Sequence, residues 1–591
     1  ADGEPTGFDY WRLADEVDLR APLQRRPPLK PTADYRLVGR SVARLDLPDK
    51  LSGAPFINDL SRPGMLHART LRQPARGARL AHLDEAAVRR AAGRPVQILR
   101  VGDFVAFVDE SEAAVEAAAQ AAAANPDWIR WADVRRIDPG HEEPSWLRGR
   151  PSRDRTLGAP PADSDRPGQR LVSAVYSRPY VAHASLAPSC ALAEYHDGRF
   201  HIWSHGQGMH PLVATLADAL GVPADSISAE HVQGSGCYGH NGADDAALDA
   251  ALIARELPGR CIRVQWRRQE EFGFEPLGTP MLIELRVWLD GDGRPCDWTT
   301  ELWSGAHVQR PGLGGGNLLA SEALPVPAPE PEVADPPESR GGGATRNAVP
   351  LYDLPAHRII HHLLPHLPLR TSALRGLGAL PNVFAIESML DELAALSGRD
   401  PLDYRLALLC DARARRVLQC AADSAGWSAR GEGGQGHGLG LGFARYKNRA
   451  AYAAVVAEVR VENEVRVQRV WCAADAGLVI NPDGVRNQLE GGIVQGASWA
   501  LKERVRLDER GVSSVDWESY PILRFSEVPE IEVELVAPEG QPDEPHRSLG
   551  AGECTVGPTA AAIGNAVAHA LGARIRDMPL DRERIMAALL R

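Results

Sequence analysis

The stretch Gly550-Ala551-Gly552-Glu553-Cys554-Thr555-Val556-Gly557-Pro558 sets one carboxylate among glycines and runs directly into Thr559-Ala560-Ala561-Ala562-Ile563-Gly564-Asn565-Ala566-Val567. The first part predicts a loop and the second a helix. A helix start presents backbone N–H groups without intrahelical partners, and glycine lets the main chain come close to a ligand. Glu553 therefore reads in two ways. It is either a solvated residue at a capped helix start, the common content of Gly-rich loops before helices, or a carboxylate delivered to a ligand for chemistry.

Composition narrows the class. With 591 residues, 44% of them hydrophobic and 24% charged, the chain is globular and long enough to bury a large core. Lys plus Arg number 66 against 78 acids, a net charge of −12, which disfavours nucleic acid and anionic membrane as partners. No apolar run approaches the ~18 residues of a spanning helix. The eight cysteines, at 190, 237, 261, 296, 410, 420, 472 and 554, contain no CxxC pair. Such scatter fits buried free thiols better than disulfides and does not provide the clustered thiolates of an iron–sulfur site.

Along the chain, residues 1–34 are polar and proline-containing and read as a connector. Residues 35–138 mix alternating apolar runs with the Ala-rich stretch from Glu110 to Ala124, which predicts a small α/β domain. Residues 139–168, dense in Pro, Arg, Asp and Gly, read as a linker, and 169–591 as one large α+β region. Within it, Pro325 to Gly343 reads as a loop. No internal repeat is evident.

Several segments, taken in order, resemble the molybdenum hydroxylases, the xanthine dehydrogenase and aldehyde oxidase family. Val38-Gly39-Arg40-Ser41-Val42 through Gly53 resembles the hammerhead-like domain. His205-Gly206-Gln207-Gly208-Met209-His210, before the apolar run Leu212 to Leu220, is similar to the family's glutamine segment. Gly234-Ser235-Gly236-Cys237-Tyr238-Gly239-His240-Asn241 resembles its Gly-Gly-Gly-Phe-Gly loop, and Arg375-Gly376-Leu377-Gly378 its Arg-Gly-Phe-Gly loop. Asp475-Ala476-Gly477 to Asn481-Pro482, then Asn487-Gln488-Leu489-Glu490-Gly491-Gly492-Ile493-Val494-Gln495-Gly496, resembles a cofactor-contact segment, and the Glu553 loop comes last.

The resemblance, which covers the chain from about Arg36 onward, implies an α+β fold: the small hammerhead-like domain, then a large molybdopterin-binding region. It implies a pterin-bound molybdenum, as molybdopterin cytosine dinucleotide, that oxidises an aldehyde or hydroxylates an N-heteroaromatic carbon with water-derived oxygen. Glu553 would be the base, with apolar neighbours able to raise its pKa towards working pH. Gln207 would donate an amide N–H near the metal, as against being an ordinary residue at a helix start. Gly208, Gly236, Tyr238, Gly239, Gln488, Gly491, Gln495 and Gly552 would line the cofactor, as against simple turns and a Gly-rich helix start. Arg375 would orient a substrate carbonyl or carboxylate, as against pairing with a nearby acid. His240, Asn241 and Leu377 would face the substrate. No protein residue is assigned as a metal ligand, and His183, His205, His210 and His546 are not taken as such.

Departures bear on substrate. Leu377 stands where many relatives carry an aromatic, Tyr238 replaces a Phe, Cys554 a Pro, and Leu186-Ala187-Pro188 lacks the Glu of the family's Met-Glu-Pro segment. The family's second Gly-Gln-Gly segment has no counterpart between Gly433 and Asp475, where only Gly436-His437-Gly438-Leu439-Gly440-Leu441-Gly442 stands. The resemblance is nearest to the isoquinoline-oxidoreductase and nicotinate-dehydrogenase-like branch, where that segment lies upstream, so a separate N-terminal fragment or subunit is expected to complete the cofactor site. A small iron–sulfur subunit is the expected electron outlet, a cytochrome c a further acceptor, and the periplasm the expected compartment, with the cytoplasm as the alternative. The competing functional class is a noncatalytic assembly or cofactor-carrying subunit that has kept the fold. An unrelated Gly-rich nucleotide-binding enzyme lacks its Gly-x-Gly-x-x-Gly strand-to-helix context here.

Overall fold

The computed structural model describes residues 10–18, 21–22, 30–75, 77–158, 169–309, 314–537 and 547–590. Residues 159–168 of the expected linker, and His546, lie outside them. A seven-stranded sheet runs in the order Ile227–His231, Arg199–Ser204, Cys190–His196, Cys261–Gln265, Leu66–Leu71, Phe104–Asp109, Gln97–Val101. Leu66–Leu71 lies parallel to Cys261–Gln265, with Leu66 opposite Ile262. Strands from both sides of residues 139–168 thus share one hydrogen-bonded sheet.

Two helices, α1 (Met209–Leu220) and α2 (Ala243–Glu256), pack on this sheet. The α2 helix is buried nearly all round, its three aspartates included, and a buried charge persists only when it is paired. Asp249 meets Arg72 at 2.6 Å and Asp245 meets Arg370 at 3.0 Å. Those pairs tie the helix to both halves of the chain.

A five-stranded sheet follows, ordered Arg153–Gly158, His357–Leu363, Pro295–Ser304, Met281–Leu289, Arg170–Arg178. Its first strand corrects the reading of 139–168 as linker throughout. Arg153 and Arg155 alternate along this edge strand and pair with Glu332 and Glu338, so a polar stretch still completes a sheet. The loop expected from Pro325 to Gly343 has no strand and only a short 3₁₀ turn at Glu338–Arg340, yet it is anchored. The buried Asp335 carboxylate accepts from the His307 and Ala344 backbone N–H groups at 2.7 and 2.5 Å, and burial pushes its pKa up to about 6.

The third layer positions the Glu553 loop. A four-stranded sheet, ordered His437–Arg445, Tyr452–Val461, Val465–Asp475, Glu530–Leu535, packs against α3 (Ala379–Leu396), α4 (Pro482–Leu501) and α5 (Val556–Leu571). Gly438, Gly440 and Gly442 occupy one face of His437–Arg445, because alternate residues of a strand point the same way. A Cβ on Gly440 would overlap Ala566 N and Ala562 O, and one on Gly442 would overlap Pro558 O. The glycines therefore let α5 lie directly on the strand. Behind it, Glu387 of α3 accepts from Arg405 Nε at 2.9 Å, from the Tyr352 hydroxyl at 2.8 Å and from Phe443 N at 3.1 Å, locking helix to sheet. Among the described residues no helix is long and apolar enough to cross a membrane.

Gly440→Ala places a methyl against helix backbone that has no side-chain freedom to yield. We expect destabilisation of about 1–3 kcal/mol, read as a lowered melting temperature. An unchanged transition would contradict this packing.

Candidate active site

Arg375 gathers the site. The segment before it is sewn to the 236–241 loop by an isolated bridge: Arg375 N donates to Tyr238 O at 2.8 Å and His240 N to Ala373 O at 2.9 Å. Gly239, at φ +134°, permits this approach, since a Cβ there would overlap Ala373 O. The guanidinium then donates from Nε to Gly552 O at 2.7 Å, from Nη2 to Gln488 O at 2.9 Å and from Nη1 to Gln495 Oε1 at 3.3 Å. Burial lowers its pKa, while the Glu553 charge opposes that shift. The planar fork thus holds the 238 loop, α4 and the Glu553 loop together.

Two glycines of α4 make room for this clamp. A Cβ on Gly492 would overlap Thr555 Oγ1, and one on Gly496 would come within 2.8 Å of Val556 O. Thr555 Oγ1 in turn donates to Leu489 O at 3.0 Å. Asn481 caps α4 by accepting from Gly484 N, so Gln488, Gly491 and Gln495 lie within the helix and not at its start.

Glu553, half-buried, sits two residues before the N-cap Thr555 of α5. Its Oε1 accepts from Gly376 N at 2.8 Å. The phenol oxygen of buried Tyr446 accepts from Arg346 Nη1 at 2.7 Å, and its pKa is raised by burial and then by the Glu553 charge. The neighbouring Cys554 is buried and its thiol is pushed up to about 12 by burial, which keeps it neutral.

Gln207 lies exposed at the end of the turn leading into α1, with Gly208 as its N-cap, and its Oε1 takes a long contact from Cys237 Sγ at 3.6 Å. Burial raises the Cys237 thiol as well. Tyr238, at φ +50°, is half-buried with its ring folded over Gly236, itself at φ +105°. The residues expected to face substrate divide. Leu377 follows Gly376 through a left-handed turn and is buried. Asn241 is 1% exposed, donates to Ser185 Oγ and Glu271 Oε1, and accepts from Ala243 N at the start of α2. Its amide is committed within the fold. His240 is half-buried, held through its backbone.

Beneath this loop lies a buried polar network. His183 Nδ1 stands 3.2 Å from Glu275 Oε2, and its Nε2 contacts Ala373 O at 2.9 Å. Burial opposes a charge on His183, but Glu275 outweighs it and raises the pKa. Glu271 is pushed up to about 7 by burial and then by Glu275. In the sequence His183 is named only to be set aside as a metal ligand and Thr555 is quoted without a role, and nothing there points to Glu271, Glu275, Tyr446 or Arg346. Gly492 alone had a signal, as the second member of a Gly-Gly pair inside a helix.

The eight cysteines are all free thiols, so the even count reflects no disulfide. Among the described residues no group of three or more His, Cys, Asp or Glu side chains is placed to hold a bare metal ion. What the loops offer is a set of neutral amides, Gln207, Gln488 and Gln495, with glycine backbone at 236, 239, 491 and 552. A Cβ on Gly491 or Gly552 would make only ordinary contacts, 3.7 Å from Arg375 Nη1 and 3.4 Å from Gln488 Oε1, so both glycines border open space beside the clamp. Such a cradle fits a phosphate-bearing heteroaromatic group.

Comparison with known proteins agrees. Molybdopterin cofactor-binding domain families match residues 165–306 and 418–529. A nicotinate dehydrogenase chain of Pseudomonas putida, one subunit of that enzyme, is 37% identical over 596 residues, covering 95% of this chain and 47% of its own length. The beta chain of isoquinoline 1-oxidoreductase from Brevundimonas diminuta is 30% identical over 578 residues, covering 93% and 69%. The chain thus spans about half the length of the first relative and about two thirds of the second. In fold it is similar to quinoline 2-oxidoreductase from Pseudomonas putida 86, with a TM-score of 0.71 at 16% identity covering 94% of this chain and 98% of that one. Aldehyde oxidoreductase from Desulfovibrio gigas gives a TM-score of 0.75 at 15% identity, covering 95% and 82%.

Fold and gathered loops define a molybdopterin-binding subunit. The chain belongs to the molybdenum hydroxylase family of xanthine dehydrogenase and aldehyde oxidase, on the branch that holds the nicotinate dehydrogenase and isoquinoline 1-oxidoreductase chains. Arg375 and Glu553 both lie outside the two matched domain segments, and the structure is what joins them to those segments.

Arg375→Lys keeps the charge, but one ammonium cannot reach Gly552 O, Gln488 O and Gln495 Oε1 together. We expect a lower melting temperature and reduced molybdenum content in the purified protein. Unchanged content would contradict the clamp.

Proposed function

We propose that this chain is the catalytic large subunit of a molybdenum hydroxylase that oxidises an aldehyde or hydroxylates an N-heteroaromatic carbon with water-derived oxygen. The observation that carries the reading is the Glu553 carboxylate, fixed by Gly376 N and placed by the Arg375 clamp beside the amide-rich cradle. The names of the relatives, a nicotinate dehydrogenase and an isoquinoline oxidoreductase, support the N-heterocycle arm, and the matched molybdopterin-binding domain families support the cofactor class. Gln207, Gly208, Gly236, Tyr238, Gly239, Gln488, Gly491, Gln495 and Gly552 hold the cofactor, which we assign as molybdopterin cytosine dinucleotide. When bound, that group supplies two-electron redox chemistry and oxygen transfer.

Glu553 takes a proton as oxygen is delivered to the electron-poor carbon. A carboxylate is suited to this when it is held ionised by hydrogen-bond donors and partly shielded from water. Gln207 presents an exposed amide beside the Cys237 thiol. Arg375, with its donors engaged by protein oxygens, acts by positioning the Glu553 loop. Tyr238 and His240 border the substrate. Buried Leu377 and Asn241 shape that wall from behind.

A small iron–sulfur subunit receives the electrons, since this chain's cysteines are scattered single thiols. A cytochrome c is the further acceptor and the periplasm the compartment that suits it.

The test is metal and nucleotide analysis of the native complex, with turnover of aldehydes and N-heterocycles by wild type and Glu553→Ala. We expect molybdenum, releasable CMP, and a turnover loss of about 10²-fold or more in a variant that keeps its metal. A metal-free native complex, or turnover indifferent to Glu553, would overturn the reading.

A further inference from the structure

Two buried carboxylates stand one helical turn apart beneath the cradle. Glu271 lies on the short helix Arg268–Phe274, and Glu275 caps its C-terminus. Like charges four residues apart on a helix repel, and burial makes each more costly, so both need partners. Those partners lead to His240 and Asn241, the last two residues of the 236–241 loop.

Glu271 takes the direct route. Its Oε1 accepts from Asn241 Nδ2 at 3.3 Å and from Ser189 Oγ at 3.0 Å, and its Oε2 accepts from Ser189 N at 2.7 Å. Glu275 acts through an imidazole. Its Oε1 accepts from His183 N at 3.0 Å, and its Oε2 stands 3.2 Å from His183 Nδ1, a charge-to-charge contact and not an aligned hydrogen bond. The far nitrogen of the ring, Nε2, lies 2.9 Å from Ala373 O, and a carbonyl only accepts, so Nε2 carries a proton. The same carbonyl takes His240 N at 2.9 Å. The 183–189 segment pins the other side of the loop as well, since Ala187 N donates to Ser235 Oγ at 2.7 Å.

We propose that His183 and Glu275 are positioning residues for the cradle: the imidazole, with a proton on each nitrogen, binds Ala373 O through one and answers the Glu275 charge with the other. Ala373 O then fixes His240 N, and the bridge carries that placement on to Arg375 N and Tyr238 O. The inference rests on the proposal above that this loop borders the cofactor. The charged groups facing the ring are Glu275 and Glu271. Arg268, the other cation near these carboxylates, is spent on Leu186 O at 2.6 Å and lies over the Trp517 ring at 4.6 Å. The Tyr520 phenol also feels the Glu275 charge. Glu275 is thus the group that lets a cation persist at His183 against burial.

Two measurements on the full chain as purified test this without turnover. The first is nitrogen NMR of protein labelled with 15N-histidine, taking the signal lost in His183→Gln as that of His183. We expect both ring nitrogens protonated at about pH 7 in the wild type, and a midpoint lower by about one pH unit or more in Glu275→Gln, where burial is unopposed. The second is hydrogen exchange of peptides covering residues 236–241, with α3 as the internal reference. Loop exchange should be about tenfold faster in His183→Leu with α3 unchanged, and close to wild type in His183→Gln, whose amide can still donate to Ala373 O. A wild-type His183 with one ring proton, a midpoint unmoved in Glu275→Gln, or equal loop exchange in the wild type and His183→Leu would overturn the proposal. If His183→Leu folds poorly, the Glu275→Gln midpoint still decides. A native complex without molybdenum would instead overturn the function proposed above, and it moves neither reading.

Discussion

One guanidinium holds the site together. Arg375 bonds to oxygens on α4 and on the Glu553 loop, while its own backbone N–H bonds to the 238 loop. Each of those segments comes from a different part of the chain, between 113 and 177 residues away for the side-chain bonds. A charged donor to neutral carbonyls is a strong hydrogen bond in a part-buried setting, and a lysine cannot reproduce its fork. Burial lowers the guanidinium pKa, and the nearby Glu553 charge offsets part of that cost. Clamp and carboxylate are therefore electrostatically linked as well as joined through Gly552.

The clamp works because α5 can come no other way. Glycines of His437–Arg445 on one side and Gly492 and Gly496 of α4 on the other leave space for helix backbone, and any side chain would close it. Glu553 sits just before this wedged helix, so its carboxylate is set by core packing and not by a free loop. Close packing transmits small displacements, which is why a methyl remote from the chemistry bears on the base.

The sequence made some of this legible and hid the rest for physical reasons. The loop and helix of 550–567 and the helix from Met209 to Leu220 follow from local pattern, since glycine, capping and apolar spacing act over a few residues. The glycine run 436–442, legible only as a missing cofactor segment, is a packing device whose meaning depends on α5, more than 110 residues later in the chain. Arg346 and Tyr446 are separated by 100 residues, with no shared motif to pair them. Asn241 stood in a cofactor-like loop, yet its side chain is spent on α2 and Glu271, because a buried amide must satisfy its own hydrogen bonds first. Residues 153–158 read as linker since a charged edge strand carries little apolar signal.

We propose that the cofactor lies in the cradle bounded by Glu553, Gln207 and the 236–239 backbone. The most direct measurement is an experimental density map of the native complex with its cofactor bound. The expected result is the metal within reach of the Glu553 carboxylate, with the Arg375 bonds to Gly552 and α4 intact. Cofactor density elsewhere, or a Glu553 side chain turned away from it with Arg375 released from the clamp, would contradict the claim.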